Sequence, residues 1–136
     1  MFFKNEKSEI NQNFIKVAAL LIHAAKIDQD YSENEEKIIK KALLEIGIKT
    51  ENVQEIINAG KEIESNSNQI LDFTKEVKKM DNENKIKIIE TLWRIIYSNK
   101  EADVYETSLM RRLGGLLYID NKVMGNIKAR IIKEIK

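Results

Sequence analysis

An all-α fold, a compact bundle of about seven helices in two pseudo-symmetric halves, is what this sequence predicts, on three grounds. The 136-residue chain has no proline and only five glycines, so few positions force the backbone away from helical geometry. Apolar residues recur at spacings of three and four along nearly every segment, the period of a helix face. Two stretches also repeat one helix-turn-helix joint: Ala24 to Ile39 reads AAKIDQDYSENEEKII, and Ile95 to Met110 reads IIYSNKEADVYETSLM. An offset of 71 aligns Asp28 with Asn99, Ser32 with Asp103 and Glu35 with Glu106.

The elements follow in order. From Ser8, read as an N-cap, the positions Ile10, Phe14, Val17, Leu21 and Ala25 form one face of a first helix ending near Ile27. Leu20, Ile22 and Ala24 widen that face, which places the helix at the centre of the fold. Ser32 to Glu35 fits a capping box, in which each side chain accepts from the other residue's amide. It opens a second helix through Ile39, Ala42 and Leu43 that Gly47 terminates. Thr50 caps a third helix with Val53, Ile56 and Ile57, which fades into the polar run Glu64 to Asn68. A short fourth helix carries Ile70, Phe73 and Val77, and Asp81 caps a long fifth one. The fifth spreads Ile86 to Ile96 over a broad arc, so the first and fifth helices are expected to form the core pair, with Trp93 in the core and Tyr97 at its edge. Asp103 to Glu106 repeats the capping box and opens a sixth helix through Met110 and Leu113. Asp120 caps a seventh, with Val123, Ile127, Ile131 and Ile132 as its apolar face. Gly114-Gly115 inside the sixth costs helix propensity and suggests close approach of another backbone.

Length and composition bound the rest. The chain suits one domain, residues 1–136, and 43% hydrophobic with 33% charged residues describes a globular protein. Zero cysteines exclude disulfides, thiol nucleophiles and Cys-containing zinc sites. The longest apolar run, Val17 to Ala25, is broken by His23 and too short to span a bilayer, and the first residues lack the apolar stretch of a leader, so a cytoplasmic protein is expected. The formal charge is +1, split as −3 over residues 1–68 and +4 over residues 69–136, too mild to imply nucleic acid. Lys122, Lys128, Arg130, Lys133 and Lys136 make the last helix basic; such a helix either meets an anionic membrane surface or an acidic partner, or is a solvated face. His23, within the apolar run and equivalent to Arg94 in the repeat, is expected to be buried and hydrogen-bonded.

The two joints read Asp28-Gln29-Asp30-Tyr31-Ser32-Glu33-Asn34-Glu35 and Asn99-Lys100-Glu101-Ala102-Asp103-Val104-Tyr105-Glu106. Each resembles the turn Asp-Gly-x-Ile-x-x-x-Glu of the TerB-like tellurite-resistance family, with related modules at the start of DjlA-type co-chaperones. The turns depart from that form: neither has the glycine, Tyr31 and Ala102 replace the aliphatic residue, and Asn99 replaces the second aspartate. The resemblance implies a compact all-α fold whose acidic turns hold a divalent cation, in bacterial stress or envelope-associated systems. Carried over by position, the ligand candidates are Asp28, Glu35, Asn99 and Glu106, and Asn99 lowers the negative charge available. Asp30 joins them as a further hard oxygen donor suited to Ca²⁺ or Mg²⁺.

Each candidate also has a structural reading. Glu35 and Glu106 serve as third residues of capping boxes, worth about 1 kcal/mol each. Asp28 and Asp30 suit a turn in which aspartate bonds nearby amides. An EF-hand is excluded, because its sixth position would be Glu33 instead of glycine and its twelfth Ile39 instead of glutamate. No triad, P-loop, dinucleotide fingerprint or zinc-hydrolase set is present. The expectation is a non-enzymatic stress-response module working through an unidentified protein partner. Its alternatives are a metal-dependent hydrolase using the turn carboxylates and a metal-free, co-chaperone-like adaptor.

Overall fold

Where the first apolar arc is widest, the structure buries a helix on nearly every side. The computed structural model describes residues 2–26, 33–66, 70–99 and 104–135, with side chains for 13–26, 33–66, 70–98 and 108–134. Its elements are α1 (Phe2–Ala25), α2 (Glu33–Glu45), α3 (Thr50–Asn66), α4 (Leu71–Lys78), α5 (Asn82–Ile96), a 3-10 turn (Tyr97–Asn99), α6 (Val104–Leu116) and α7 (Asn121–Ile135). There is no strand among the described residues, and the all-α bundle expected from the sequence is the fold observed.

In α1 the six consecutive residues Val17 to Ile22, with Ala24 and Ala25, are each no more than 2% exposed. A helix apolar all round in this way must be wrapped by others. It packs on α2, α3, α4 and α5, and most extensively on α3. The expected α1–α5 contact exists, but α3 is the principal neighbour of α1. The reason is Gly60: a Cβ there would lie 3.1 Å from the Ala18 Cβ, 3.2 Å from the Ala19 amide nitrogen and 3.3 Å from the Ile15 carbonyl oxygen. With alanines on one helix and glycine on the other, the two backbones meet closely. Close approach therefore occurs at Gly60. At the Gly114-Gly115 pair, the atoms nearest a Cβ on Gly114 are those of the Met124 side chain, at 3.4 Å and beyond, and Gly115 faces open space.

α5 contributes Ile88, Ile89, Leu92, Trp93, Ile95 and Ile96 to the same continuous core, which all seven helices enter. α7 adds Met124, Ile127 and Ile131, whereas Val123 is 37% exposed; Met124 takes the inward place expected of Val123. Thr74 and Thr91 are buried with their hydroxyls donating to carbonyls of the preceding turn, Leu71 at 3.0 Å and Lys87 at 2.7 Å. Trp93 and Tyr97 stack with ring centroids 6.0 Å apart, and Trp93 is the buried member.

Helix ends follow local chemistry. Gly47, at φ 111°, ends α2 in a Schellman arrangement, in which the Ile48 amide donates to the Leu43 carbonyl at 3.0 Å. The Asp81 carboxylate accepts from the Asn84 amide at 2.8 Å and caps α5, while Asp120 accepts from the Lys122 amide at 3.2 Å and caps α7. α6 ends like α2 but without glycine: Tyr118 takes φ 56°, and the Ile119 amide donates to the Gly114 carbonyl at 2.9 Å. The Lys78 ammonium holds Tyr118 there, 4.2 Å from the ring centroid and 3.1 Å from the hydroxyl. Two starts differ from expectation. Thr50 is the first residue of α3 rather than its cap, and α1 begins at Phe2 instead of after Ser8, since no glycine or proline interrupts the six residues before it.

Candidate functional site

The first acidic joint lies between α1 and α2. α2 starts at Glu33, as a cap at Ser32 requires, and its first turn carries Glu33, Glu35 and Glu36. Negative charge there complements the amide end of the helix dipole. Asp28, Asp30 and Ser32 lie outside the described residues. Glu35 is described, and it is only 2% exposed and engaged by another group. Such burial is unusual for a glutamate, because a carboxylate removed from water is stable only with partners or in its neutral form. A capping role alone leaves a side chain near the surface, so the depth of Glu35 is a feature that sequence reasoning missed.

The end of α1 is tied down beside this joint. Glu64 of α3 accepts from Lys26 at 2.7 Å, and its other oxygen lies 3.2 Å from the Nδ1 of His23. Both basic groups lie at the carboxyl end of a helix, where its dipole favours them. His23 is hydrogen-bonded as expected, but its side chain is 35% exposed, so it is half-buried and not a core histidine. Glu36 binds Lys61 of α3 at 2.7 Å. The first joint is thus braced to α3 from both of its helices.

The second joint runs from α5 through the 3-10 turn, where the Ser98 hydroxyl donates to the Ile95 carbonyl at 2.6 Å, to α6. α6 starts at Val104, directly after the expected cap Asp103. Asn99 closes the 3-10 turn and Glu106 sits in the first turn of α6; their side chains, like Asp103, lie outside what is described. Of the five candidate ligands, therefore, Glu35 alone has a described side chain. Among the described residues no three histidine, aspartate or glutamate side chains gather as a metal-holding group.

Arg94, the repeat equivalent of His23, also reaches a glutamate. Its Nε and one terminal nitrogen donate to the two oxygens of Glu134 on α7 at 2.7 and 3.0 Å. This fork-on-fork pair raises the Arg94 pKa and holds the Glu134 carboxyl below its ordinary range, in each case chiefly through the hydrogen bonds. Arg130 adds a single 2.7 Å bond to Glu90, so α5 and α7 are joined by two ion pairs.

A surface cleft of about 270 Å³ lies where α1, α4 and α5 meet. Phe14, Val17 and Met80 line it together with Glu76 and Lys79. No helix among the described residues is long and apolar enough to cross a membrane.

A family model described as Tellurite resistance protein TerB matches residues 14–129. The chain belongs to the TerB family. The TerB match includes both acidic joints, and Asp28, Asp30, Glu35, Asn99 and Glu106 all fall within it. Neither a curated protein nor a solved structure matches the chain.

Proposed function

We propose that this TerB-family chain is a non-catalytic, cytoplasmic stress-response module of the tellurite-resistance type in bacteria, acting through protein contacts, with a divalent cation at its acidic joints. The observation that carries this reading is the TerB match over residues 14–129, which takes in both joints. Chemistry supports the cation. Asp28, Asp30, Glu35, Asn99 and Glu106 offer hard oxygen donors of the kind Ca²⁺ and Mg²⁺ prefer. A carboxylate as buried as Glu35 is positioned by packing and loses little freedom on binding. The non-catalytic part rests on the side-chain inventory: no cysteine and a single histidine, whose Nδ1 lies against Glu64. His23 and Arg94, at equivalent positions of the repeat, each reach a glutamate, 41 and 40 residues further along the chain.

The test is a titration of the protein with Ca²⁺, Mg²⁺, Mn²⁺ and Zn²⁺, followed by melting temperature and heat. Binding at a hundred times Kd adds about 2.7 kcal/mol to stability. The expected result is a saturable rise in Tm with Ca²⁺ or Mg²⁺ that the Asp28→Asn, Glu35→Gln double variant lacks. No rise with any of the four ions overturns the cation site, and a rise that survives the double variant puts the ion elsewhere. Metal-dependent turnover of phosphoester or peptide substrates would make the chain a hydrolase instead.

A further inference from the structure

A second cleft, of about 170 Å³, opens between α5, α6 and α7. Trp93, Met110 and Met124 supply its apolar lining, and Arg111 and Lys128 its positive charge. Three features of it are left unmatched among the described residues.

Trp93 is 4% exposed, yet its indole Nε1–H is buried with no acceptor among the described residues. A buried donor without an acceptor is costly, so Trp93 is a part of the cleft wall that its described neighbours leave unsatisfied. The two cations are the second feature. Nearby Arg94 and Arg130 are paired with Glu134 and Glu90, but Arg111 has no carboxylate partner among the described residues. Lys128 has none there either, and its ammonium lies over the Trp93 ring, 5.3 Å from the centroid. The third is Gly125, which sits mid-helix in α7 and lines the cleft, where an added Cβ would meet nothing within 4 Å. Glycine in a helix interior lowers stability relative to alanine, and no internal neighbour here requires it. What its missing Cβ does is leave the cleft wall open to a close approach from outside.

We propose that this cleft docks the C-terminal residue of a partner polypeptide, its carboxylate against Arg111 and Lys128 and its apolar side chain against Met110, Met124 and the Trp93 ring. Charge complementarity selects an anion, and a carboxylate is the anionic group that a polypeptide offers. The volume selects the end of the chain. At about 170 Å³ the cleft is smaller than the roughly 300–1,000 Å³ of drug-sized ligand sites and holds one residue. In so small a space an acid and an apolar group carried by one residue fit together, which favours a terminal leucine, valine or phenylalanine over an internal aspartate or glutamate. Methionine on two sides adapts to any of these. The inference rests on the protein-contact part of the proposed function and is independent of the cation.

Trp93 is the only tryptophan in the chain, so its emission and its indole N–H resonance report on this cleft alone. The probes are acetyl-Gly-Ala-Leu with a free carboxylate, the same peptide as its amide, and acetyl-Ala-Glu-Ala-amide. The expected result is a saturable shift of both Trp93 signals with the free acid, weakened by salt and by about tenfold in the amide, as loss of a charged hydrogen bond dictates. Arg111→Gln is expected to weaken binding severalfold with Tm unchanged. Gly125→Ala is expected to raise Tm while weakening binding, a combination that a merely structural glycine would not give. Equal binding of acid and amide, no saturable Trp93 response, tighter binding of the internal-glutamate peptide, or full binding by both variants overturns the proposal. The cation titration of the same sample keeps the two readings apart: Tm gain without a peptide response removes only the cleft assignment, and hydrolytic turnover removes the non-catalytic reading whatever the peptide does.

Discussion

Gly47 and Glu35 show how differently single residues can be specified. Gly47 terminates α2 because its backbone takes φ 111°, a region open to glycine and strained for every L-residue with a side chain. An added Cβ there meets nothing within 4 Å, so substitution changes backbone energy alone. Gly47→Ala is therefore expected to lose about 1 to 2 kcal/mol of unfolding free energy in urea denaturation, with the m-value unchanged. Its role is local and was legible from the apolar pattern stopping at a glycine. The opposite holds for Glu35. Its place as the third residue of a capping box is visible in the sequence, but its 2% exposure depends on what packs over the first turn of α2. His23 makes the same point in reverse, since an apolar run around it predicts burial while α3 meets only one side of it, through Glu64.

At the scale of elements, the periodic segments locate the helices well and their partners less well. The caps Asp81 and Asp120 and the broad arcs on α1 and α5 are all readable in sequence, because each depends on residues within a turn or two. The choice of α3 as the main neighbour of α1 is not. Gly60 lies in a polar, glutamate-rich helix and looks like an ordinary helix-weakening glycine until α1 is laid against it. Because Ala18 and the α1 backbone stand 3.1 to 3.3 Å from a Cβ built there, Gly60→Ala must push the two helices apart. A loss of about 1 to 3 kcal/mol is expected, the cost of overpacking a core, despite the better helix propensity of alanine. Thermal or urea unfolding measures it, and a neutral or stabilising outcome would mean that the α1–α3 contact is looser than described. The α5–α7 contact is specified otherwise, by the ion pairs Arg94–Glu134 and Arg130–Glu90 above Ile127 and Ile131.

For the whole molecule, the apolar side chains of all seven helices join one continuous cluster. Helices that share a core lose their stabilising contacts together, so unfolding is expected to be a single cooperative transition. Helical circular dichroism and the fluorescence of Trp93, which lies inside that cluster, should report the same midpoint. Separate midpoints would mean that α1 to α3 and α5 to α7 unfold as independent units. The sequence by itself determined the all-helical class, the approximate helix boundaries and the family resemblance, because helix period, capping and turn composition act over a few residues. Only the tertiary structure decided which helices touch, how deeply Glu35 is buried, and that Trp93, Arg111, Lys128 and Gly125 come to share one cleft. Those are contacts between residues distant in the chain, 35 positions from Trp93 to Lys128 and 42 from Ala18 to Gly60. No local preference encodes them; they follow from how seven amphipathic helices exclude water together.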